Sequence, residues 1–339
     1  MLISREGLVV LLNAMYYGGA RTIEVSYPPV DMVFSINLMD KKLNTIGRSE
    51  YDKKVTFFKK TVCNGVDPFY LSEVPKSSCI MDCLFISGVL EPRYIPDIEK
   101  DLSRQADRDM MKGERPLFIG FDTNALRRRV NTHIRRIVNE RGLKARFCLS
   151  TLVFDELFRQ YDKKLPYEWE PPEQLCFMEN FSNQLQRDAR MARLGAVEYR
   201  KLKELKYTYE VKGDETKDNP DLKIVRSYDT LKAENDILLI SGDKNFRDLA
   251  NAKNMRVIDV KEPHNVPVEL PISWEGACDL IYIAAVVFGM VDVNGAKVEG
   301  VWRGKDESNW NYEQVNLKCD GELKNKLDKF MRISKSQHD

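Results

Sequence analysis

Histidine is scarce in this sequence of 339 residues, which contains only His133, His264 and His338. A ribonuclease that works by general acid–base catalysis normally relies on well-placed histidine or lysine side chains. Three scattered histidines therefore argue against that mechanism. The seven cysteines form no C-x-x-C pair, and together with the shortage of histidine this argues against a zinc site. Reduced thiols in a cytoplasmic protein are the resulting expectation.

Long apolar runs are missing as well. The longest candidate, 280–290, is too short to span a bilayer, so no membrane partner is expected. The first residues include an apolar run without a basic lead, and we expect them to belong to the fold. The net charge of +1 gives no sign of a polyanionic partner, so any nucleic-acid-binding surface has to be local.

The composition is that of a globular protein, with 43% apolar and 31% charged residues. A chain of this length exceeds the usual domain size, so two or three domains are expected. Residues 1–110 are predicted to form an N-terminal α+β domain of unknown role, and 263–339 a C-terminal α+β extension. Residues 115–262 alternate strands and helices, which is typical of an α/β fold with a parallel sheet. Within them, 161–218 form an insert.

The organising stretch of the chain lies between residues 219 and 246. Asn219 is a good helix N-cap, Pro220 suits the first helical position, and Asp221 favours the positive end of the helix dipole. The apolar run 237–240 predicts a buried parallel strand. Asp243 follows three residues later, where an open α/β sheet gathers its ligands. Two carboxylates are therefore predicted to face a common point.

The same pattern occurs about a hundred residues earlier. The apolar run 116–121 ends at Asp122, and a helix is predicted to follow. A second short strand ends before Ser150, which is predicted to cap a helix bearing Asp155 and Glu156. Acids at the carboxyl ends of parallel strands cannot all be ionised together without cations. Carboxylate ligands select hard ions, so Mg²⁺ or Mn²⁺ is the implied cofactor.

These blocks resemble a known family. The motif D-T-N-x-L stands at 122–126, and a serine-led helix bearing a glutamate at 150–157. The motif D-x-x-I stands at 221–224, and S-x-D-x-N-F at 241–246. Four blocks in this order resemble the PIN-domain nucleases, which are metal-dependent ribonucleases. The resemblance covers 115–262, and the chain departs from the family in its long insert and in large extensions at both ends.

The resemblance implies a PIN-like parallel β-sheet flanked by helices. It also implies an endoribonuclease that hydrolyses RNA phosphodiesters with metal-activated water. Asp122 and Asp243 are the expected central metal ligands, and Glu156 and Asp221 complete the catalytic set. The groups expected to hold water or to orient the substrate are Thr123, Asn124, Ser241 and Asn245.

For two of the four acids, the residues alone leave an alternative open. The phase of the helix allows either Asp155 or Glu156 to face the site, and the family pattern favours Glu156. Asp229 lies two turns beyond Asp221 on the same predicted helix and competes with it as the third acid. An isolated aspartate after a strand is most often a helix cap. The metal-site hypothesis therefore depends on the four acids occurring together.

A run of basic residues follows the first acid. Eight arginines and lysines between positions 127 and 146 are opposed only by Glu140. This imbalance favours contact with a phosphate backbone, for which arginine is well suited, although a solvated helix face is the alternative. The insert continues as a long basic helix over 173–207, which is either an ordinary amphipathic helix or a second RNA contact. The candidate nucleic-acid-binding residues are Arg127, Arg128, Arg129, Arg135 and Arg136.

The favoured function is metal-dependent cleavage of single-stranded or locally unpaired RNA. One alternative is a non-catalytic RNA-binding or scaffold protein on a PIN fold, which loss of an acid would indicate. Another is a flap-type, structure-specific DNA nuclease, in which the basic helix of the insert supplies a helical arch. Fold-level resemblance does not separate RNA from DNA. The sequence is also compatible with a homo-oligomer.

Overall fold

The computed structural model describes residues 1–213 and 219–335. Positions 214–218, at the end of the predicted insert, and 336–339, which include His338, lie outside the described residues. The chain divides into two compact units, each assembled from separated stretches. The first unit contains Met1–Leu90, Lys164–Arg190 and the chain from His264 onward, and the second contains Glu91–Lys163 and Met191–Pro263.

The elements are numbered in chain order. The strands are β1 (Leu2–Ser4), β2 (Thr22–Tyr27), β3 (Asp31–Asn37), β4 (Lys42–Thr45), β5 (Leu117–Phe121), β6 (Ala145–Ser150), β7 (Thr208–Val211), β8 (Asp236–Ser241), β9 (Arg256–Asp259), β10 (Glu269–Pro271), β11 (Met290–Val293), β12 (Ala296–Glu299) and β13 (Gln314–Lys318). The α-helices are α1 (Leu8–Tyr17), α2 (Arg48–Phe57), α3 (Pro68–Leu71), α4 (Ser78–Ile86), α5 (Ile95–Ala106), α6 (Thr123–Arg127), α7 (Val130–Glu140), α8 (Thr151–Tyr161), α9 (Arg187–Lys203), α10 (Pro220–Asp229), α11 (Lys244–Ala252), α12 (Trp274–Phe288), α13 (Glu307–Asn311) and α14 (Gly321–Lys335). Shorter helical segments are a π-helical turn at Phe58–Val62 and 3₁₀ segments at Met110–Lys112, Glu173–Phe181 and Thr230–Ala233. Within the described ranges, none of these helices is both long and apolar enough to cross a membrane.

The first unit contains an antiparallel sheet with the strand order β1-β13-β12-β11-β2-β3-β4-β10. Strands near both ends of the sequence pair directly in it, because Leu2 lies opposite Asn316 and Val25 lies opposite Val293. The largely buried helix α12 packs against this sheet and against α1 and α4. Segments that the sequence analysis divided between an N-terminal domain and a C-terminal extension therefore share one sheet.

The second unit contains a sheet of five parallel strands in the order β7-β6-β5-β8-β9. Helices connect these strands, as parallel pairing requires. The predicted α/β class, with a parallel sheet flanked by helices, is confirmed. Central β5 is buried along its whole length, which accounts for its unbroken apolar sequence. Chain order reverses between β5 and β8, so these neighbours form a topological switch point.

Part of the predicted insert belongs to this parallel sheet. The single helix expected over 173–207 is instead a 3₁₀ segment at Glu173–Phe181 followed by α9. After α9 the chain forms the edge strand β7, in which Tyr209 lies opposite Cys148 of β6. The β7 sequence, TYEV, has the β-branched and aromatic residues that favour strands.

Candidate functional site

The carboxyl ends of β5 and β8 bear the first two acids of the candidate site. Asp122 follows β5 directly, and Asp243 follows β8 after one intervening residue, Gly242. The two strands are neighbours at the switch point, where the helices that follow them leave a crevice outside the sheet. In open α/β sheets such a crevice is the usual place for a ligand.

Asp122 is buried, with only 3% of its surface exposed. Its Oδ1 accepts from the backbone N–H of Ala125 and caps α6, while its Oδ2 accepts from the hydroxyl of Ser241. Burial raises the pKa of Asp122 from 3.8 to about 7, the hydrogen bonds from Ser241 and Ala125 oppose this rise, and the nearby carboxylates of Asp243 and Asp221 add to it. Near neutral pH the carboxyl group therefore keeps a larger protonated fraction than an ordinary aspartate unless positive charge is supplied.

Asp243 and Asp221 are linked to this carboxylate through neutral side chains. The backbone N–H of Asp243 donates to the Ser241 hydroxyl at 2.9 Å. The Asp243 carboxylate caps α11 by accepting from the backbone N–H groups of Asn245 at 2.7 Å and Phe246 at 3.2 Å. The side-chain amide of Asn245 in turn donates to Asp221 at 3.0 Å. Ser241 and Asn245 thus hold three acids in one hydrogen-bonded set.

The beginning of α10, rather than its end, faces the site. The Asn219 side chain accepts from the backbone N–H of Asp221 at 2.9 Å, which confirms the predicted N-cap. Asp229 is the last residue of α10, about 12 Å further along the helix axis. It pairs there with Lys232 at 3.5 Å and with Lys253 at 3.8 Å. The geometry therefore favours Asp221 over Asp229 as the third acid.

The two acids on α8 have different surroundings. Glu156 accepts from the hydroxyl of Thr123 at 2.6 Å and from the side-chain amide of Gln160 at 3.0 Å. Asp155 is exposed. Because Thr123 follows Asp122 directly, its hydrogen bond holds Glu156 near the carboxyl ends of β5 and β8. This region, which bears Asp122 and Asp243, is called the acidic edge of the sheet below. Asn124, the next residue, is exposed on the first turn of α6.

Tyr228, for which no role was predicted from the sequence, supports this edge from beneath. Its buried hydroxyl donates to the carbonyl oxygen of Phe121 at 2.8 Å and accepts from the backbone N–H of Ser150 at 3.2 Å. The last residues of β5 and β6 are thereby joined. Gly120 makes room for the tyrosine, because a Cβ at that position would lie 2.9 Å from the ring. The glycine within an apolar strand was the available sequence signal.

A groove opens next to the acids, between α8 and α10. It has a volume of about 340 Å³. Leu152 and Ile224 are its apolar lining, and Arg159 and Lys223 are its cations. Among the described residues, neither cation forms an ion pair with a carboxylate. The carboxylates of Asp155 and Glu156 also line the groove, so its two cations are matched in number by two acids.

Arg129 does not belong to a nucleic-acid-binding surface. Its side chain is only 5% exposed, and its Nε lies 3.0 Å from the equally buried carboxylate of Glu198 on α9. Arg129 also has positive φ, at 53°, just before α7 begins. This arginine is therefore withdrawn from the predicted set, because its guanidinium is buried against Glu198.

The other predicted arginines are more accessible. Arg128 and Arg136 are exposed, and each pairs with a carboxylate, Glu262 at 2.7 Å and Glu91 at 2.6 Å respectively. Arg127 and Arg135 are half-buried. The pair of Arg136 with Glu91 is exposed on both sides and is therefore weak, whereas Glu262 is half-buried. Four of the five predicted arginines thus remain candidates for contact with a polyanion.

The chemistry of the acidic edge suits a hard divalent cation, because its donors are carboxylate oxygens. The buried, partly protonated Asp122 is also a group that a cation would ionise. The carboxylate oxygens nevertheless accept hydrogen bonds from neighbouring hydroxyl and amide groups. Across residues 1–213 and 219–335, no three histidine, cysteine, aspartate or glutamate side chains are already grouped as a metal site. Cation binding would therefore require side-chain rearrangement at this edge.

Comparison of the chain with protein-family models gives no match, and comparison with curated proteins gives none either.

We expect the stability of the metal-free protein to fall as the pH rises from about 4 to about 7. Asp122 has a raised pKa of about 7 in the folded state and an ordinary value of 3.8. Between these values the folded chain holds a proton that the unfolded chain releases, so the unfolding free energy decreases with pH and levels off above 7. The total change is on the order of a few kcal/mol. Urea unfolding in EDTA between pH 5 and pH 8 measures it. An Asp122→Asn variant with an equally steep pH dependence would contradict this assignment.

Proposed function

We propose that this chain is a metal-dependent endoribonuclease with a PIN-like fold, acting on single-stranded or locally unpaired RNA. The observation that supports the proposal best is the arrangement at the switch point of the parallel sheet. Acids from separate segments, Asp122, Glu156, Asp221 and Asp243, are linked there through Thr123, Ser241 and Asn245. Such an arrangement is expected if these carboxylates bind a divalent cation that also contacts a phosphodiester.

In this proposal Asp122 and Asp243 hold Mg²⁺ or Mn²⁺, and Glu156 and Asp221 complete the set. The bound cation supplies Lewis-acid chemistry toward water and the phosphodiester. The neutral side chains position the acids: Ser241 orients Asp122, Asn245 orients Asp221, and Thr123 orients Glu156. Hydrogen bonds of this kind hold the acids near one another, and such partners contribute to metal affinity from outside the ligand set.

The groove between α8 and α10 provides a place for the substrate next to the acids. Arg159 and Lys223 suit a phosphate, and the apolar side chains of Leu152 and Ile224 suit a sugar or a base. A single unstacked nucleotide fits a cavity of about 340 Å³. Unpaired RNA can present such a nucleotide, whereas the bases of a duplex remain stacked.

The flap-type alternative receives less support. It requires a basic helix that is free to form an arch. In the second unit, however, the α9 residues Ala192, Leu194, Val197 and Leu202 are buried. Glu198 of the same helix is held by the buried Arg129. A helix packed in this way is a component of the fold and does not resemble an arch.

We expect the purified protein to cut labelled single-stranded RNA in Mn²⁺ or Mg²⁺ and to be inactive in EDTA. If water is the nucleophile, a single 2′-deoxy substitution at the cleaved position should still permit cleavage. The products should then have 5′-phosphate and 3′-hydroxyl ends, and a polymerase should extend them without phosphatase treatment. Matched DNA serves as the comparison substrate. Cleavage that persists in EDTA, or products ending in a cyclic phosphate, would contradict the proposal.

A further inference from the structure

A second cleft lies at the opposite edge of the parallel sheet. Its lining includes residues at the amino ends of three strands, Leu117 of β5, Asp236 of β8 and Arg256 of β9. The acids of the candidate active site lie at the carboxyl ends, roughly 16 Å away along a strand of five residues. The cleft has a volume of about 420 Å³. It is therefore separate from the groove next to the acids.

The cleft is lined mainly by polar and charged side chains, and basic residues outnumber acidic ones in its lining. Five of its lining residues are basic and three are acidic. The basic residues are Arg104, Arg108, Arg115, Lys232 and Arg256, and the acidic residues are Asp107, Glu114 and Asp236. Two of the basic residues pair with carboxylates just outside the lining, Arg104 with Asp101 at 2.7 Å and Lys232 with Asp229 at 3.5 Å.

Within the part of the chain that the structure describes, Arg115 and Arg256 have no carboxylate partner. Arg115 donates from Nη1 to the carbonyl oxygen of Lys232 at 2.8 Å. Arg256 donates from Nη1 to the side-chain oxygen of Gln105, a residue only 6% exposed. Arg108, by contrast, is neutralised by Asp236 at 2.5 Å. The neutral acceptors fix the direction of two guanidinium groups, and each guanidinium keeps further N–H donors for a ligand.

We propose that this amino-edge cleft binds a nucleoside monophosphate or a similarly sized small molecule that contains a phosphate. Arg115 and Arg256 would contact the phosphate, since guanidinium groups bind its oxygens in pairs. The carboxylates of Asp107 and Glu114 would accept hydrogen bonds from the sugar or base. The volume of the cleft is in the range of small-molecule sites. This site does not depend on the proposed nuclease activity.

Calorimetric titration of the Asp122→Asn protein in EDTA with adenosine monophosphate tests the proposal without involving a metal at the acidic edge. We expect saturable binding, weaker binding of inorganic phosphate and no detectable binding of adenosine. Arg115→Gln combined with Arg256→Gln should weaken the binding by at least about 10-fold. Arg141→Gln is the matched control, because Arg141 pairs with Glu99 and does not line the cleft. It should leave the affinity unchanged.

A second measurement needs no variant in the cleft. Adenosine monophosphate should shift the backbone amide resonances of residues 104–117, 232–238 and 254–256, and should leave those of 156 and 243 unchanged. Shifts confined to the acidic edge, or an affinity that the double substitution does not change, would overturn the proposal. A short oligonucleotide that binds the cleft more tightly than the monophosphate would overturn the small-molecule assignment. None of these outcomes depends on whether the protein cleaves RNA.

Discussion

Asp122→Asn should reduce RNA cleavage by roughly 100-fold or more, while the protein remains folded. The carboxylate at this position is proposed to bind a divalent cation, and a neutral amide lacks the negative charge that this binding requires. The shape of the site should survive, because an asparagine oxygen can still cap α6 through Ala125 and its amide can donate to Ser241. Replacing a buried carboxylate by a neutral amide also removes a desolvation cost, so thermal stability in EDTA should not decrease.

Asp229→Asn is the matched control for this experiment. It makes the same chemical change on α10, but at the end of the helix away from the acidic edge. Its ion pairs with Lys232 and Lys253 are partly exposed, so the substitution should have little effect on cleavage. Single-turnover rates at saturating RNA and Mn²⁺ separate the two variants. Wild-type rates for Asp122→Asn, with unchanged metal dependence, would refute the assigned role of this acid.

The parallel sheet was predictable because its central strands are short apolar runs that end in an acid. β5 and β8 show this pattern directly, since strands buried on both faces need apolar residues throughout. β7 was missed because it has four residues and follows a basic helix. The strand pairing of the antiparallel sheet was even harder to predict from the sequence. Its pairing of Leu2 with Asn316 depends on contacts between residues that are distant in sequence, and no local pattern encodes such contacts.

The candidate site likewise contains residues that could be predicted from the sequence and residues that could not. Asp122 and Asp243 were predictable from their positions after strands, where an aspartate can both cap a helix and face the crevice. The phase of α8 alone did not separate Glu156 from Asp155, and the hydrogen bond from Thr123 now distinguishes them. Tyr228 escaped notice because its partners, on β5 and β6, are far away in sequence.

Arg129 illustrates a limit of charge patterns. In the sequence it stands in a run with Arg127 and Arg128, and nothing local distinguishes the three. In the structure its guanidinium is buried beside Glu198, which also accepts from the side-chain amide of Asn131 at 2.8 Å. A buried ion pair of this kind joins α9 to the start of α7. Its partner lies 69 positions away in the sequence, so a charge count in one window cannot find it.

Glu198→Gln should destabilise the protein by about 3–5 kcal/mol, since it removes the negative charge that accompanies a buried guanidinium. Glu91→Gln is the matched control, because it breaks the exposed pair with Arg136 and should cost less than about 1 kcal/mol. Urea unfolding at neutral pH measures both. Combining Glu198→Gln with Arg129→Met should restore much of the loss, because the unpaired charge is then absent. Equal, small effects of the two glutamine substitutions would contradict a buried pair, and would return Arg129 to the candidate phosphate contacts.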